Sequence, residues 1–354
     1  MSEDIEGAGS VRDEDSFDVD AVVDWLRGQG EAITGEVAVQ QFKGGASNLT
    51  YSLRSVDRDL ILRRPPSGQK AKGAHDMGRE FTIQSALKEP FKLVPAMVAL
   101  CQDDSVIGSE FYVMERVDGL IPRRDFPPEM RQLDEAQVRT LCTNALDVLI
   151  SLHQVDLEPT GLARMGKGTG YVERQVSGWS TRYRNARTED ASDYEQVMAW
   201  LDEHQPADVA NCMIHNDFRF DNLVLDRHDP TRLIALLDWE MATLGDPLMD
   251  LGGTMAYWVT DADDEFFQMF RRQPTHVAGM FSREEAVDYY CKAMGFTVTP
   301  EQWRFYEVFG LFRLGVIAQQ IYYRYFHKQT HNEAYAVFGP AAVYLDERCR
   351  SLIS

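Results

Sequence analysis

The chain has 354 residues, 44% of them hydrophobic, which is enough to build a core and, at about 150 residues per domain, points to roughly two domains. Its 36 basic and 56 acidic residues give a net charge of −20, which disfavours nucleic acid or an anionic membrane as a partner and requires any anionic ligand to be gripped locally. No apolar run is long enough for a membrane span, and the opening MSEDIEGAGS is acidic, not basic and then apolar, so no signal peptide is expected and the chain reads as cytoplasmic. Cys101, Cys142, Cys212, Cys291 and Cys349 are scattered without a CxxC pair, which suits reduced, buried thiols and argues against a disulfide framework or a zinc site.

Residues 1–16 carry Glu3, Asp4, Glu6, Asp13, Glu14 and Asp15 with almost nothing apolar, and a mobile acidic tail is expected there. From Phe17 the spacing of Phe17, Ala21, Val22, Trp25 and Leu26 makes one face of a short helix that stops at Gly28 and Gly30. The period then changes to two. Strands are expected over Val37–Phe42, Leu49–Arg54 and Leu60–Arg63, a helix from about His75 to Leu87, and two further strands near Ala96–Cys101 and Glu110–Val117. After Gly119 the pattern turns helical. Asp134 with Gln137 offers a capping box, and Val138, Leu141, Ala145, Leu146, Leu149 and Leu152 form the buried stripe of a long helix. Thr169–Arg187 reads as a polar region, Leu223–Leu225 and Leu233–Leu237 as short strands, and Phe305, Phe309, Phe312 and Val316 as helical core.

The chemistry concentrates in MIHNDFRFDN, Met213–Asn222, followed sixteen residues after Asn222 by Asp238 in LIALLDWE. Phosphoryl transfer from a nucleotide needs a carboxylate to orient the attacking hydroxyl and take its proton, and oxygen ligands for the magnesium that bridges the phosphates. Asp217, Asn222 and Asp238 can fill those three roles. Glu240 reads equally as a further metal ligand or a solvated acid, and Asp246 and Asp250 as supports of the loop backbone. Upstream, KGGASNLTY joins two strands. Gly44, Gly45, Ala46 and Ser47 are small enough for main-chain N–H groups to approach a triphosphate, with Ser47 and Asn48 adding side-chain donors.

The order of glycine-bearing hairpin, strand-borne cation, helix-borne glutamate, hinge, HxDxxxxN loop and later aspartate resembles the aminoglycoside phosphotransferase and choline kinase group over about residues 35–340. GYVERQVSGW, HNDFRFDNLV and LLDWEMATLGDPLMDL are most similar to the kinase-like domains associated with acyl-CoA dehydrogenases. The resemblance implies an α+β, bilobal protein-kinase-like fold. A small lobe over residues 17–117 would carry a five-stranded antiparallel sheet, and a larger helical lobe over 118–354 the catalytic loop.

It also implies ATP and Mg²⁺ as cofactors, Asp217 as the catalytic acid or base, Asn222 and Asp238 as metal ligands, and His215 as a brace of the loop. The family's strand lysine, which contacts the α- and β-phosphates and pairs with a helix glutamate, is replaced here by Arg63, with Arg64 as its alternative and Glu80 as the partner. Arginine keeps the charge but not the geometry of an ammonium. At the hinge, EFYVMERVDG places Glu115 and Val117 to read adenine through a carbonyl and an N–H, with Met114 lining the pocket.

The acceptor is expected to be a hydroxylated small molecule. Arg174, Arg182, Arg184 and Arg187 beside Trp179 and Tyr183, with Arg313 and Arg324 further on, suit an anionic, partly apolar group. Together with the resemblance, this favours a hydroxyacyl group carried on coenzyme A or a related hydroxy acid, and functional association with an acyl-CoA dehydrogenase. Two alternatives stand beside it: an aminoglycoside- or choline-type kinase, and a nucleotide-binding regulatory module without turnover, which Arg63 in place of lysine would suit.

Overall fold

A computed structural model describes residues 5–42, 48–66, 76–330 and 332–354. The loop residues Gly44, Gly45 and Ser47 lie outside the described residues, as do the first four residues of the expected tail. In chain order the elements are β1 (Ala8–Gly9), α1 (Val19–Gly28), β2 (Ala38–Phe42), β3 (Leu49–Arg54), β4 (Asp59–Arg64), α2 (Met77–Leu87), β5 (Met97–Cys101) and β6 (Phe111–Glu115). There follow α3 (Glu135–His153), α4 (Tyr171–Ala186), α5 (Glu195–His204), β7 (Cys212–Ile214), β8 (Leu223–Leu225), β9 (Leu233–Leu236) and β10 (Thr243–Gly245). The chain ends with α6 (Pro247–Ala256), α7 (Glu265–Met269), α8 (Arg283–Met294), α9 (Pro300–Phe326) and α10 (Phe338–Ile353). Two compact units result: residues up to Gly119 together with Ile234–Glu240, and the remainder of the chain. Ile234–Glu240, expected in the second lobe, groups with the first unit.

The first unit is an antiparallel sheet in the order β1-β2-β3-β4-β6-β5. Alternation along each strand separates its two faces. Tyr51, Leu53, Leu60, Leu62, Phe111 and Val113 pack with Val22, Val23 and Leu26 of α1, while Ile61, Tyr112 and Met114 pack with Met77 of α2. Strands buried on both sides read as continuous apolar runs, as LIL in β4 and FYVM in β6 do.

The sheet has six strands where five were expected, because Ala8 and Gly9 pair with Phe42 and Gln41. The expectation of a mobile tail to residue 16 is corrected from Ile5 onward. Arg64 Nη2 donates to the Asp15 carbonyl at 2.6 Å, and Gln41 Nε2 donates to the Asp15 carboxylate at 2.8 Å. Composition did not reveal this, because the tail is held by partners far along the chain and not by its own apolar content.

The second unit is mainly helical. In α3, Asp134 and Gln137 form the expected capping box, and Val138, Leu141, Ala145, Leu146, Leu149 and Leu152 are all buried. Thr169–Arg187, read as polar, contains the helix α4, which buries Val172, Val176, Trp179 and Tyr183 on one face. Helices α6 and α9 approach closely at glycines: a Cβ on Gly310 would lie 2.2 Å from the Gly252 carbonyl oxygen. All five cysteines are free and buried. Among the described residues no helix is long and apolar enough to cross a membrane.

Candidate active site

In the first unit one residue step separates two arginines with different surroundings. Arg64 shares a face with Leu62 and Tyr51, so its guanidinium bonds to the Tyr51 hydroxyl and the Asp15 carbonyl and stacks on the Phe17 and Tyr51 rings at 5.3 and 5.4 Å. Arg63 shares the other face with Ile61 and Tyr112. There it meets Glu80 of α2 at 3.4 Å, Asp238 at 3.1 Å and Glu240 at 3.5 Å. The pairing expected of Arg63 with Glu80 is therefore present, and Arg64 is occupied in holding the N-terminal segment.

Three carboxylates around one guanidinium leave an excess of negative charge. Burial works against the charge on Arg63, but Tyr112, Asp238, Glu80 and Glu240 together hold its pKa well above the ordinary value. Burial raises the pKa of Glu80, opposed by Arg63 and by the hydrogen bond from the Tyr112 hydroxyl, which lies at 2.9 Å. Asn48 is 2% exposed, and its Nδ2 donates to Glu80 and to Glu240, each at 3.1 Å. Expected to offer its amide to a nucleotide, Asn48 instead gives both of its amide hydrogens to carboxylates that would otherwise be poorly solvated. Glu240, on a side chain 22% exposed, thus faces Arg63 and Asn48 and keeps some access to solvent.

Asp238 has a left-handed backbone, φ 66°, an uncommon conformation for a residue other than glycine. Its neighbour Trp239 fixes the segment from below: the ring is fully buried, donates Nε1–H to the Leu236 carbonyl at 2.8 Å and meets Phe91 edge-on at 5.9 Å. The Asp238 carboxylate, on a side chain 35% exposed, keeps access to solvent. At the expected hinge, Met114 is buried with Ile61, Met77 and Tyr112, the Glu115 N–H donates to the Ala96 carbonyl at 2.8 Å, and Val117 lies just beyond the end of β6.

In the second unit the HNDFRFDN loop leaves β7, which pairs antiparallel with β10 through Met213 and Leu244. Asn216 takes φ 64°, the left-handed conformation that its position next to the acid demands. The loop is held through its main chain. The Asp250 carboxylate accepts from the His215 N–H at 2.7 Å and the Asn216 N–H at 2.8 Å, and it lies 3.1 Å from His153 Nε2. Burial alone would raise the Asp250 pKa, but His153 and His215 bring it below the ordinary value. Bracing through His215 thus runs through its main chain to Asp250. Asp246 accepts from the Leu248, Met249 and Val209 N–H groups, yet burial still pushes its pKa up to about 6.

The Asp217 carboxylate accepts from Asn222 Nδ2 at 3.0 Å and pairs with Arg219 at 3.2 Å, on a side chain 21% exposed. With the Asn222 amide nitrogen directed to Asp217, its amide oxygen is the atom suited to a cation. Arg219 also pairs with Asp221 at 3.1 Å and stacks on Tyr257 at 4.8 Å; motif spacing alone gave no sign of it as a partner of Asp217. Among the described residues no group of three or more His, Cys, Asp or Glu side chains forms a metal cage.

The basic cluster proposed for the acceptor separates in the structure. Arg184 pairs with Glu195 at 2.6 Å, and Arg174 donates to the Thr169 and Gly168 carbonyls. Arg187 and Arg324 are exposed. Arg182 and Arg313 both stack on Trp179, at 4.6 and 5.3 Å.

Comparison with known proteins gives a consistent result. The sequence profile described as the phosphotransferase enzyme family matches residues 38–286. Mouse acyl-CoA dehydrogenase family member 10 is 36% identical over 86% of this chain, which spans 28% of that protein. A Ralstonia eutropha structure provisionally described as an aminoglycoside phosphotransferase is 30% identical, covers 95% of this chain and 98% of its own, and superposes with a TM-score of 0.79. Choline kinase from Cryptosporidium parvum, 12% identical over 95% of each chain, shares the fold with a TM-score of 0.64.

Proposed function

Because the chain belongs to the phosphotransferase enzyme family, we propose that it transfers the γ-phosphoryl group of Mg-ATP to the hydroxyl of a small molecule, a hydroxyacyl group on coenzyme A or a related hydroxy acid. The observation that carries this reading is Asp217, a part-exposed carboxylate on a loop fixed by two main-chain N–H bonds to buried Asp250. Asp217 orients the acceptor hydroxyl and takes its proton as the oxygen attacks. Asn222 and Asp238 supply magnesium ligands, and the bound metal would neutralise charge developing between the β- and γ-phosphates.

Arg63, aimed by Glu80, meets the α- and β-phosphates through its planar fork. The main-chain N–H groups of Gly44, Gly45 and Ser47 are assigned to the phosphates, and Met114, Glu115 and Val117 to adenine. The likeness to an acyl-CoA dehydrogenase family member supports the acyl acceptor and a functional link to such a dehydrogenase. The five reduced thiols suit a cytoplasmic setting.

ADP release is to be measured over a panel of hydroxy acids, their coenzyme A thioesters, choline and aminoglycosides, with wild type and Asp217→Asn. Magnesium-dependent turnover of an acyl acceptor that Asp217→Asn abolishes is expected. Turnover of choline or an aminoglycoside instead would favour the alternative kinases. Arg63, tied to three acids at the position where the resemblance implies a lysine, favours one further reading, a regulatory module. A melting shift with Mg-ATP and no turnover of any acceptor would establish it.

A further inference from the structure

Arg313 differs from the other buried arginines of the chain. It lies on α9, is 8% exposed, and makes its single hydrogen bond from Nη2 to the Asn216 carbonyl at 2.7 Å. Among the described residues no carboxylate lies within the 4.0 Å of an ion pair with it. Arg63 and Arg64, similarly buried, have partners of another kind: three carboxylates face the terminal nitrogens of Arg63, and a carbonyl and a tyrosine hydroxyl meet Arg64. Most of the side chain is covered, yet its remaining N–H groups are not among the buried unpaired ones, so they stay open to an oxygen that arrives with a ligand.

The position of the guanidinium is closely defined. It stacks on the Trp179 ring at 5.3 Å, and a Cβ on Gly253 would lie 2.9 Å from Nη1, so that glycine leaves the room it occupies. Its one anchor is the carbonyl of the residue immediately before Asp217. Tyr257 gives a second view of the same place: beyond its burial, its hydroxyl is influenced by Arg219, Asp217, Arg313 and Asp221. The unpaired donor and the acid assigned to the acceptor hydroxyl thus face one small region of the second unit.

We infer that Arg313 is the residue that determines acceptor class: its remaining N–H groups receive the acyl oxygen of a hydroxy acid, carboxylate or thioester carbonyl, while the acceptor hydroxyl meets Asp217. The inference rests on the phosphotransferase reading and deepens it. A guanidinium is all donor and permanently charged, so it favours an oxygen that only accepts and repels an ammonium. Its link to the residue preceding Asp217 keeps acyl oxygen and hydroxyl on one short carbon chain. Choline-type and aminoglycoside acceptors, which would bring positive charge to this place, are thereby disfavoured.

The test compares straight-chain alcohols of equal length ending in carboxylate, coenzyme A thioester or trimethylammonium, with wild type, Arg313→Gln and Arg313→Lys. The Mg-ATP melting shift of each variant serves as the control for folding and nucleotide binding. Wild type is expected to use the carboxylate or the thioester, and whichever is used identifies the source of the acyl oxygen. Arg313→Gln is expected to raise the acceptor KM about tenfold or more with the Mg-ATP shift retained, and Arg313→Lys to raise it less. Should Arg313→Gln fail to fold, Arg313→Lys is judged on the same KM criterion. Preference of wild type for the trimethylammonium alcohol, or an acyl-acceptor KM that stays within about twofold in the variants, overturns the inference and leaves the phosphotransferase reading standing. No turnover of any acceptor by wild type overturns both.

Discussion

Around Arg63, side chains from β4, α2 and the Asp238 segment hold one another through charge, three carboxylates against one guanidinium. Around Asp217, main-chain N–H groups are held by one buried aspartate, and buried Arg313, bonded to the Asn216 carbonyl, has no ion pair among the described residues. The first cluster carries an excess of negative charge and suits a divalent cation. The second, with a donor lacking a counter-charge, suits an acceptor that brings oxygen. In the proposed reaction Asp238 of the first would serve magnesium and Asp217 of the second the acceptor hydroxyl.

This contrast can be tested at four places. Asp217→Asn keeps the hydrogen bond from Asn222 and removes the base, so kcat is expected to fall on the order of 1,000-fold, with the melting temperature almost unchanged. Asp250→Ala does the opposite. It strands His153 and two loop N–H groups in the interior, and denaturant melts should report a loss of about 3–5 kcal/mol.

Asp246 gives the main-chain-held region a pH dependence that Asp246→Asn lacks. The folded chain takes up its proton near pH 6 and the unfolded chain only near the ordinary value of 3.8. Stability of wild type relative to Asp246→Asn should therefore rise by about 3 kcal/mol as pH falls through that window, and be lost again as pH climbs through 6. Parallel melts at several pH values check the sign. The smallest effect is expected of Arg63→Lys, which preserves the charge but loses the fork that spans three acids. KM for Mg-ATP should change by about tenfold while the acceptor KM stays level, and a change in the acceptor KM instead would undo the separation of the two clusters.

Much of the first unit was legible because a doubly covered sheet writes its alternation into the sequence. Leu60 and Leu62 on one face and Ile61 and Arg63 on the other follow from strand period alone, and the pairing of Arg63 with Glu80 followed from the resemblance. The capping box of α3 was legible for a local reason: both partners lie within one turn. What escaped depends on distant partners. Ala8 and Gly9 become a strand because Phe42 and Gln41 present an edge, and Asp15 is buried where Arg64, Tyr51 and Gln41 reach it. Helix α4 hid behind its many polar residues, since a single buried face that includes Val172, Val176, Trp179 and Tyr183 docks it. Asn48 was read as a loop donor because nothing local shows that Glu80 and Glu240 lie beside it. For Arg313, sequence supplied the charge but not the missing counter-charge, which only the fold reveals.

The most direct measurement is ³¹P magnetic resonance of ATP, magnesium and a hydroxyacyl acceptor with catalytic amounts of the protein. The expected result is loss of the γ-phosphate signal matched by a new phosphomonoester on the acceptor, dependent on magnesium and absent with Asp217→Asn. ATP that stays intact beside every acceptor, or that yields only inorganic phosphate at a rate indifferent to acceptor and to Asp217→Asn, would contradict it.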